Sequence, residues 1–119
     1  MKKIKISVYA DGANFNEIEF LNKNPFVNGF TTNPTLMRQN NIKNYKLFAK
    51  KILNKVNDKP ISFEVFSDDI DEMKIQALKI SKLGKNVNVK IPITNSKGFS
   101  TSKLIADLTK KGVLVNVTA

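Results

Sequence analysis

The sequence predicts an α/β fold: the first five parallel strands of a TIM (β/α)8 barrel, with helices between them. Three observations predict it. Strand-like and helix-like patterns alternate along the whole chain. The units recur about every 30 residues, the size expected when ~250 residues make eight of them. Most strands are apolar and β-branched on one face and polar on the other, and the polar residues gather near the strand ends.

The opening run, basic and then apolar, is read as a first strand over Ile4 to Ala10 rather than a leader peptide. Lys5 breaks the apolar stretch, Asp11 follows, and no small-residue cleavage site comes after it. Ile4, Ile6, Val8 and Ala10 share one face; Ser7, Tyr9 and Asp11 share the other. A short helix follows Asn14 through Ile18 and Leu21. The second strand spans Val27 to Thr32 and ends in Thr31-Thr32-Asn33-Pro34, where Pro34 holds Asn33 extended and turn chemistry is expected.

Ile42 to Val56 is helical, with Tyr45, Phe48, Ala49, Ile52, Leu53 and Val56 at 3.6-residue spacing. The third strand, Ile61 to Phe66, sets Phe63 and Val65 against Ser62 and Glu64. Ser67-Asp68-Asp69 caps the next helix, which carries Ile70, Met73, Ala77, Leu78 and Ile80 and stops near Gly84. The fourth strand, Val87 to Ile93, sets Val87, Val89, Ile91 and Ile93 against Asn86, Asn88 and Lys90. A helix from about Ser100 to Lys111 stops at Gly112. The fifth strand, Val113 to Val117, sets Val113, Val115 and Val117 against Leu114, Asn116 and Thr118.

A doubly wound sheet, covered by helices on both faces, would read as nearly continuous apolar runs. An open sheet with one solvent face would carry more charge than Asn, Thr and Ser. A barrel whose polar residues converge inside explains the pattern better. Residues 1–119 are therefore read as the N-terminal portion of one barrel, with no internal domain boundary. Five strands cannot close a parallel barrel of eight, and an apolar terminal edge invites aggregation. The expectation is a fragment, or a chain that a second one completes.

Composition narrows the chemistry. The chain has no cysteine and no histidine, which removes disulfides, Ser-His-Asp and Cys-His catalysis from within it and makes a soft-metal site improbable. The net charge of +10 raises the question of anionic partners. The lysines, however, are scattered over every segment and Arg38 is the single arginine, so specific nucleic-acid binding is not expected. No apolar run approaches the ~20 residues of a membrane span, and a cytoplasmic protein is expected. Neither a GxGxxG nor a Walker loop signals a nucleotide.

Lys90 sits mid-strand between Val89 and Ile91. Burial disfavours its cation, and a neutral amine can attack a carbonyl. The alternative is an edge lysine that snorkels to water. Asp11, Glu64, Asn116 and Thr118 on the matching faces of other strands favour the reactive reading. Asp11 is a general acid/base or a helix cap; Glu64 is a partner for Lys90, in chemistry or in a structural ion pair.

With these residues assembled, the sequence resembles the transaldolase family, in the short branch that includes the fructose-6-phosphate aldolases. The segments that carry the resemblance are Tyr9-Ala10-Asp11-Gly12-Ala13-Asn14, Gly29-Phe30-Thr31-Thr32-Asn33-Pro34-Thr35-Leu36, Ser62-Phe63-Glu64-Val65, Val89-Lys90-Ile91-Pro92-Ile93-Thr94 and Asn116-Val117-Thr118-Ala119. The resemblance implies class I aldol chemistry that moves a dihydroxyacetone unit between sugar phosphates, with neither cofactor nor metal. Lys90 would form the Schiff base and Asp11 would serve as acid/base. Asn33 and Asn116, with Thr31 beside them, would bind the dihydroxyacetone portion, and Glu64 and Thr118 would hold a proton-shuttling water.

Glu at position 64 is similar to the true transaldolases, whereas the aldolases typically carry Gln. Gly12 departs from the Thr common in that motif. The family's phosphate-binding Arg and Ser residues belong to the second half of its barrel, and so does the C-terminal helix used in oligomer contacts. The expectations are a homo-oligomer in the full-length form and an inactive segment when residues 1–119 stand alone. The alternatives are an aldolase releasing dihydroxyacetone and a basic half-barrel that only binds.

Overall fold

Alternating local patterns become a single parallel sheet in the computed structural model, which describes residues 6–119. The elements run β1 (Tyr9–Asp11), α1 (Phe15–Asn22), β2 (Gly29–Thr31), α2 (Pro34–Gln39), α3 (Tyr45–Lys55), β3 (Ile61–Glu64), α4 (Ile70–Ser81), β4 (Val87–Pro92), α5 (Ser102–Lys110) and β5 (Val115–Thr118). The strands pair in sequence order, all parallel. Each crossover carries at least one helix, as a parallel connection requires. Five parallel strands alternating with helices form an open sheet, the partial TIM-barrel arrangement.

The helices start where side chains can accept the first free N–H groups. Asn14 accepts from Glu17 N at 3.1 Å, Asn44 from Leu47 N at 3.0 Å, and Asp69 from Asp71 N and Glu72 N at 2.8 and 3.1 Å. Asp69 is thus the member of the Ser67-Asp68-Asp69 triplet that caps α4. Asp71 and Glu72 in the first turn of α4 also suit the positive end of its dipole. The helix expected from Ile42 begins at Tyr45, because the Asn44 cap sets its start. At the end of α5, Gly112 takes φ +82°, and Val113 N donates to Leu108 O at 3.0 Å. This left-handed residue closes the helix where the sequence predicts it.

A helix absent from the sequence reading is α2. Asn33 accepts from Leu36 N at 2.9 Å and Pro34 occupies the first helical position, where its missing N–H costs nothing. The expected turn is a helix start.

The strands are shorter than expected, because side chains and helix ends take over the ladder's hydrogen bonds. Ile4 and Lys5, placed in the first strand by the sequence, lie outside the described residues. Val8 N donates to Asn28 Oδ1 at 2.7 Å, so regular pairing begins only at Tyr9. After Glu64, the Phe66 and Ser67 N–H groups both turn to Gln76 Oε1, at 2.7 and 3.0 Å, which ends β3 before Phe66. Val113 is held by the α5 end, so the fifth strand begins at Val115.

The core lies between the apolar sheet face and the helices. Phe30, Ile61, Phe63, Val87, Val89 and Ile91 are buried there against Met37, Phe48, Ile52, Met73, Ala77 and Leu108. Each fully buried Phe or Ile contributes about 1.5–3 kcal/mol relative to exposure. The edge strands depart from expectation. Val8 and Val117 belong by alternation to the apolar face but are 49% and 47% exposed. Among the described residues, β1 and β5 each pair with one neighbour only, so this face loses its cover at both margins.

Candidate active site

Strand alternation makes one face of the sheet polar, and register decides which polar groups become neighbours. Asp11 pairs with Thr31 and Thr31 with Ser62. Glu64 pairs with Lys90, Lys90 with Asn116, and Pro92 with Thr118. Asp11, Thr31, Ser62, Glu64, Lys90, Asn116 and Thr118 therefore share the face turned away from the helices. Thr31, Glu64, Lys90, Asn116 and Thr118 are half-buried, and Asp11 is exposed.

Two hydrogen bonds organise this face. Thr31 Oγ1 donates to Asp11 Oδ1 at 2.7 Å and links the ends of β1 and β2. Asn116 Nδ2 donates to Ser62 Oγ at 3.1 Å. The second bond joins β5 to β3 across β4. Neighbouring strands lie about 4.8 Å apart, so the backbones of β3 and β5 would stand ~10 Å apart in a flat sheet. Short side chains meet across that gap when the sheet curls toward its polar side. Inside barrels, layers are built by side chains from alternate strands, and Ser62 and Asn116 make such a contact.

Asn33 lies two residues past the end of β2. Its Oδ1 is committed to Leu36 N as the α2 cap, which leaves the carboxamide N–H groups for any ligand. Lys90 and Glu64 are register neighbours but form no ion pair. The Glu64 carboxyl is held above the ordinary carboxylate range, first by burial and then by the charge of Asp11, with Lys90 pulling the other way. Beneath it, Tyr45 Oη donates to the Glu64 carbonyl at 3.3 Å, and its ring packs on Phe63 and Phe66. Burial pushes the Tyr45 hydroxyl strongly upward, and the nearby Glu64 charge adds to it, so it acts as a neutral donor.

A groove of about 410 Å³ runs past the C-terminal ends of β2, β3 and β4, lined among others by Asn33, Glu64, Ser67, Asp68, Thr94 and Ser96. Among the described residues, no lysine or arginine lines it. It meets the polar face at Glu64 and Asn33, while Lys90, Asp11, Asn116 and Thr118 lie outside it. Two of the loops that line it are joined to each other. Ser96 donates to Asp68 from N at 2.8 Å and from Oγ at 2.5 Å, and Asn95 Nδ2 donates to Asp68 O at 3.1 Å.

The sequence-predicted set is thus largely gathered on one face: Asp11 with Thr31, and Glu64 with Lys90 and Asn116. Thr118 stands one turn of the pleat beyond Asn116. Sequence reasoning placed Ser62 on the correct face but gave it no role, because its partner is 54 residues away. Tyr45 was visible only as an apolar helix position. No helix of the described residues is long and apolar enough to cross a membrane.

The sequence profile of the family described as Transaldolase/Fructose-6-phosphate aldolase matches residues 8–119. A probable transaldolase of Sulfurihydrogenibium sp. is 42% identical over 110 residues, which cover 92% of this chain and 48% of the relative. A probable transaldolase of Dehalococcoides mccartyi is 38% identical over 111 residues, with 93% and 50% covered. A third, from Thermoanaerobacter sp., is 36% identical over 110 residues. The chain spans about half the length of the curated relatives it matches.

Proposed function

Given that this chain belongs to the transaldolase/fructose-6-phosphate aldolase family, we propose that it supplies the Schiff-base half of an aldol-transfer site. The observation that carries this reading is the position of Lys90, between Glu64 and Asn116 in register on one polar, half-buried face. Among the described residues Lys90 has no ion pair, which leaves its amine available to react rather than committed to structure.

In the proposed reaction the neutral Lys90 amine attacks the ketose carbonyl. The carbonyl oxygen leaves as water and an imine remains. Asp11, oriented by Thr31, takes the proton from the hydroxyl next to the bond that breaks. The aldehyde departs and the electron pair of that bond is held by the imine as an enamine. The enamine then adds to an acceptor aldehyde, and hydrolysis frees Lys90. Glu64 and Thr118 hold the water that moves protons during imine formation and hydrolysis. Asn33 and Asn116 bind the dihydroxyacetone portion. The raised Glu64 carboxyl fits proton exchange near neutrality better than an ordinary carboxylate would.

Glu64 also favours transfer between sugar phosphates over release of free dihydroxyacetone. On this reading the complete protein is a cytoplasmic homo-oligomer. Residues 1–119 alone are inactive, because the five-stranded sheet leaves the polar face open on one side. The test is borohydride reduction of the protein, expressed from its native gene, in the presence of fructose 6-phosphate, followed by peptide mass mapping. A reduced ketose-derived adduct on the Lys90 peptide is expected. A folded protein that extends past Ala119 and gains no adduct there overturns the reading, whereas residues 1–119 alone should gain none. Glu64→Gln should shift product from transferred sugar toward free dihydroxyacetone.

A further inference from the structure

We infer that Ser62 is a positioning residue for Asn116, anchoring its carboxamide beside the ketose bound at Lys90. The inference rests on the aldol reading above and names a residue that reading does not use. Ser62 is wholly buried, at 0% exposure. A serine at a buried strand position pays for desolvating its hydroxyl, where Ala would not. Among the described residues, its one side-chain hydrogen bond comes from Asn116 Nδ2, at 3.1 Å.

The geometry gives that bond a consequence. Asn116 is the register partner of Lys90, and Ser62 is the register partner of Asn88, two residues before Lys90 on β4. The bond therefore crosses β4 on the N-terminal side of Lys90, beneath the place where an imine would form. A carboxamide can present either a donor or an acceptor. With Nδ2 drawn down to Ser62, the acceptor Oδ1 remains, and no protein donor among the described residues reaches it. An acceptor recognises a substrate O–H and not a phosphate or carbonyl oxygen. In the orientation seen here, Asn116 faces the ketose with an acceptor that suits a free hydroxyl beside the carbonyl. Without Ser62 the carboxamide loses this anchor and can swing away from the ketose.

The test is a double-mutant cycle of Ser62→Ala and Asn116→Ala in the protein expressed from its native gene. The readout is the dihydroxyacetone concentration that half-saturates borohydride trapping on Lys90. Loss of one net hydrogen bond should raise that concentration about fivefold for Ser62→Ala. In the Asn116→Ala background the same change should matter less than about twofold, because the partner it acts through is gone. Ser62→Cys keeps the packing, loses the strong acceptor, and should follow Ser62→Ala. Additive effects, or a Ser62→Ala protein with lower melting temperature and unchanged half-saturation, would overturn the inference and leave the aldol reading standing. Absence of an adduct in an unsubstituted protein that extends past Ala119 overturns both.

Discussion

Glu64 and Lys90 stand side by side in register on β3 and β4, and their charged ends form no ion pair. Removing one partner of a buried ion pair strands the other charge and is strongly destabilising. Here that constraint is absent. Glu64 instead carries a burial penalty that Lys90 only partly offsets. The arrangement costs stability and keeps both groups available.

The pH dependence of stability should show this. A carboxyl raised by burial binds its proton more tightly in the folded state than in the unfolded one. Its penalty is absent below the ordinary value of 4.5 and grows as pH rises through the folded value. Glu64→Gln should therefore raise the melting temperature at pH 7, with the difference shrinking toward pH 4. Melting curves at the two pH values decide it; a Gln variant that melts lower at pH 7 would show that the carboxylate is paired after all.

The loop clasp should respond in the opposite sense. Asp68 is held below its ordinary value of 3.8, first by the Ser96 hydroxyl and then by the Ser96 N–H. What it contributes is present above 3.8 and lost as pH falls through the lower folded value. The Ser96 amide proton resonance should titrate with a midpoint below 3.8 and lose that titration in Asp68→Asn. A midpoint at or above 3.8 would mean that the clasp is open in solution.

Thr32 offers a test of packing alone. It is 1% exposed, and among the described residues its Oγ1 has no hydrogen-bond partner. An unmet buried hydroxyl costs about 1–3 kcal/mol. Thr32→Val keeps the shape and removes the hydroxyl, so it should leave stability unchanged or raise it by ~1 kcal/mol. Urea denaturation measures this, and a loss above ~1 kcal/mol would reveal a partner such as a buried water.

Much of the fold was legible because its signals are local. Two-residue alternation marked four of the five strands, 3.6-residue spacing marked the long helix before the third strand, and Gly112 marked a helix end. Element limits were less legible. The ends of β3 and the start of β1 depend on Gln76 and Asn28, side chains from other segments that satisfy strand N–H groups. Asn33-Pro34 suits both a turn and a helix start, and the Leu36 N–H that resolves the choice belongs to the folded backbone.

The site divides the same way. Alternation within four strands places Asp11, Glu64, Lys90, Asn116 and Thr118 on polar faces, and the motif that ends the second strand adds Thr31, so the sequence by itself determined which residues could meet. Tertiary structure decided which do. Strand register set Lys90 between Glu64 and Asn116. Sheet curvature brought Ser62 to Asn116 over the strand between them, and burial raised the Glu64 carboxyl. Periodicity is a property of neighbours in the chain, whereas register, curvature and desolvation arise only when distant segments pack together.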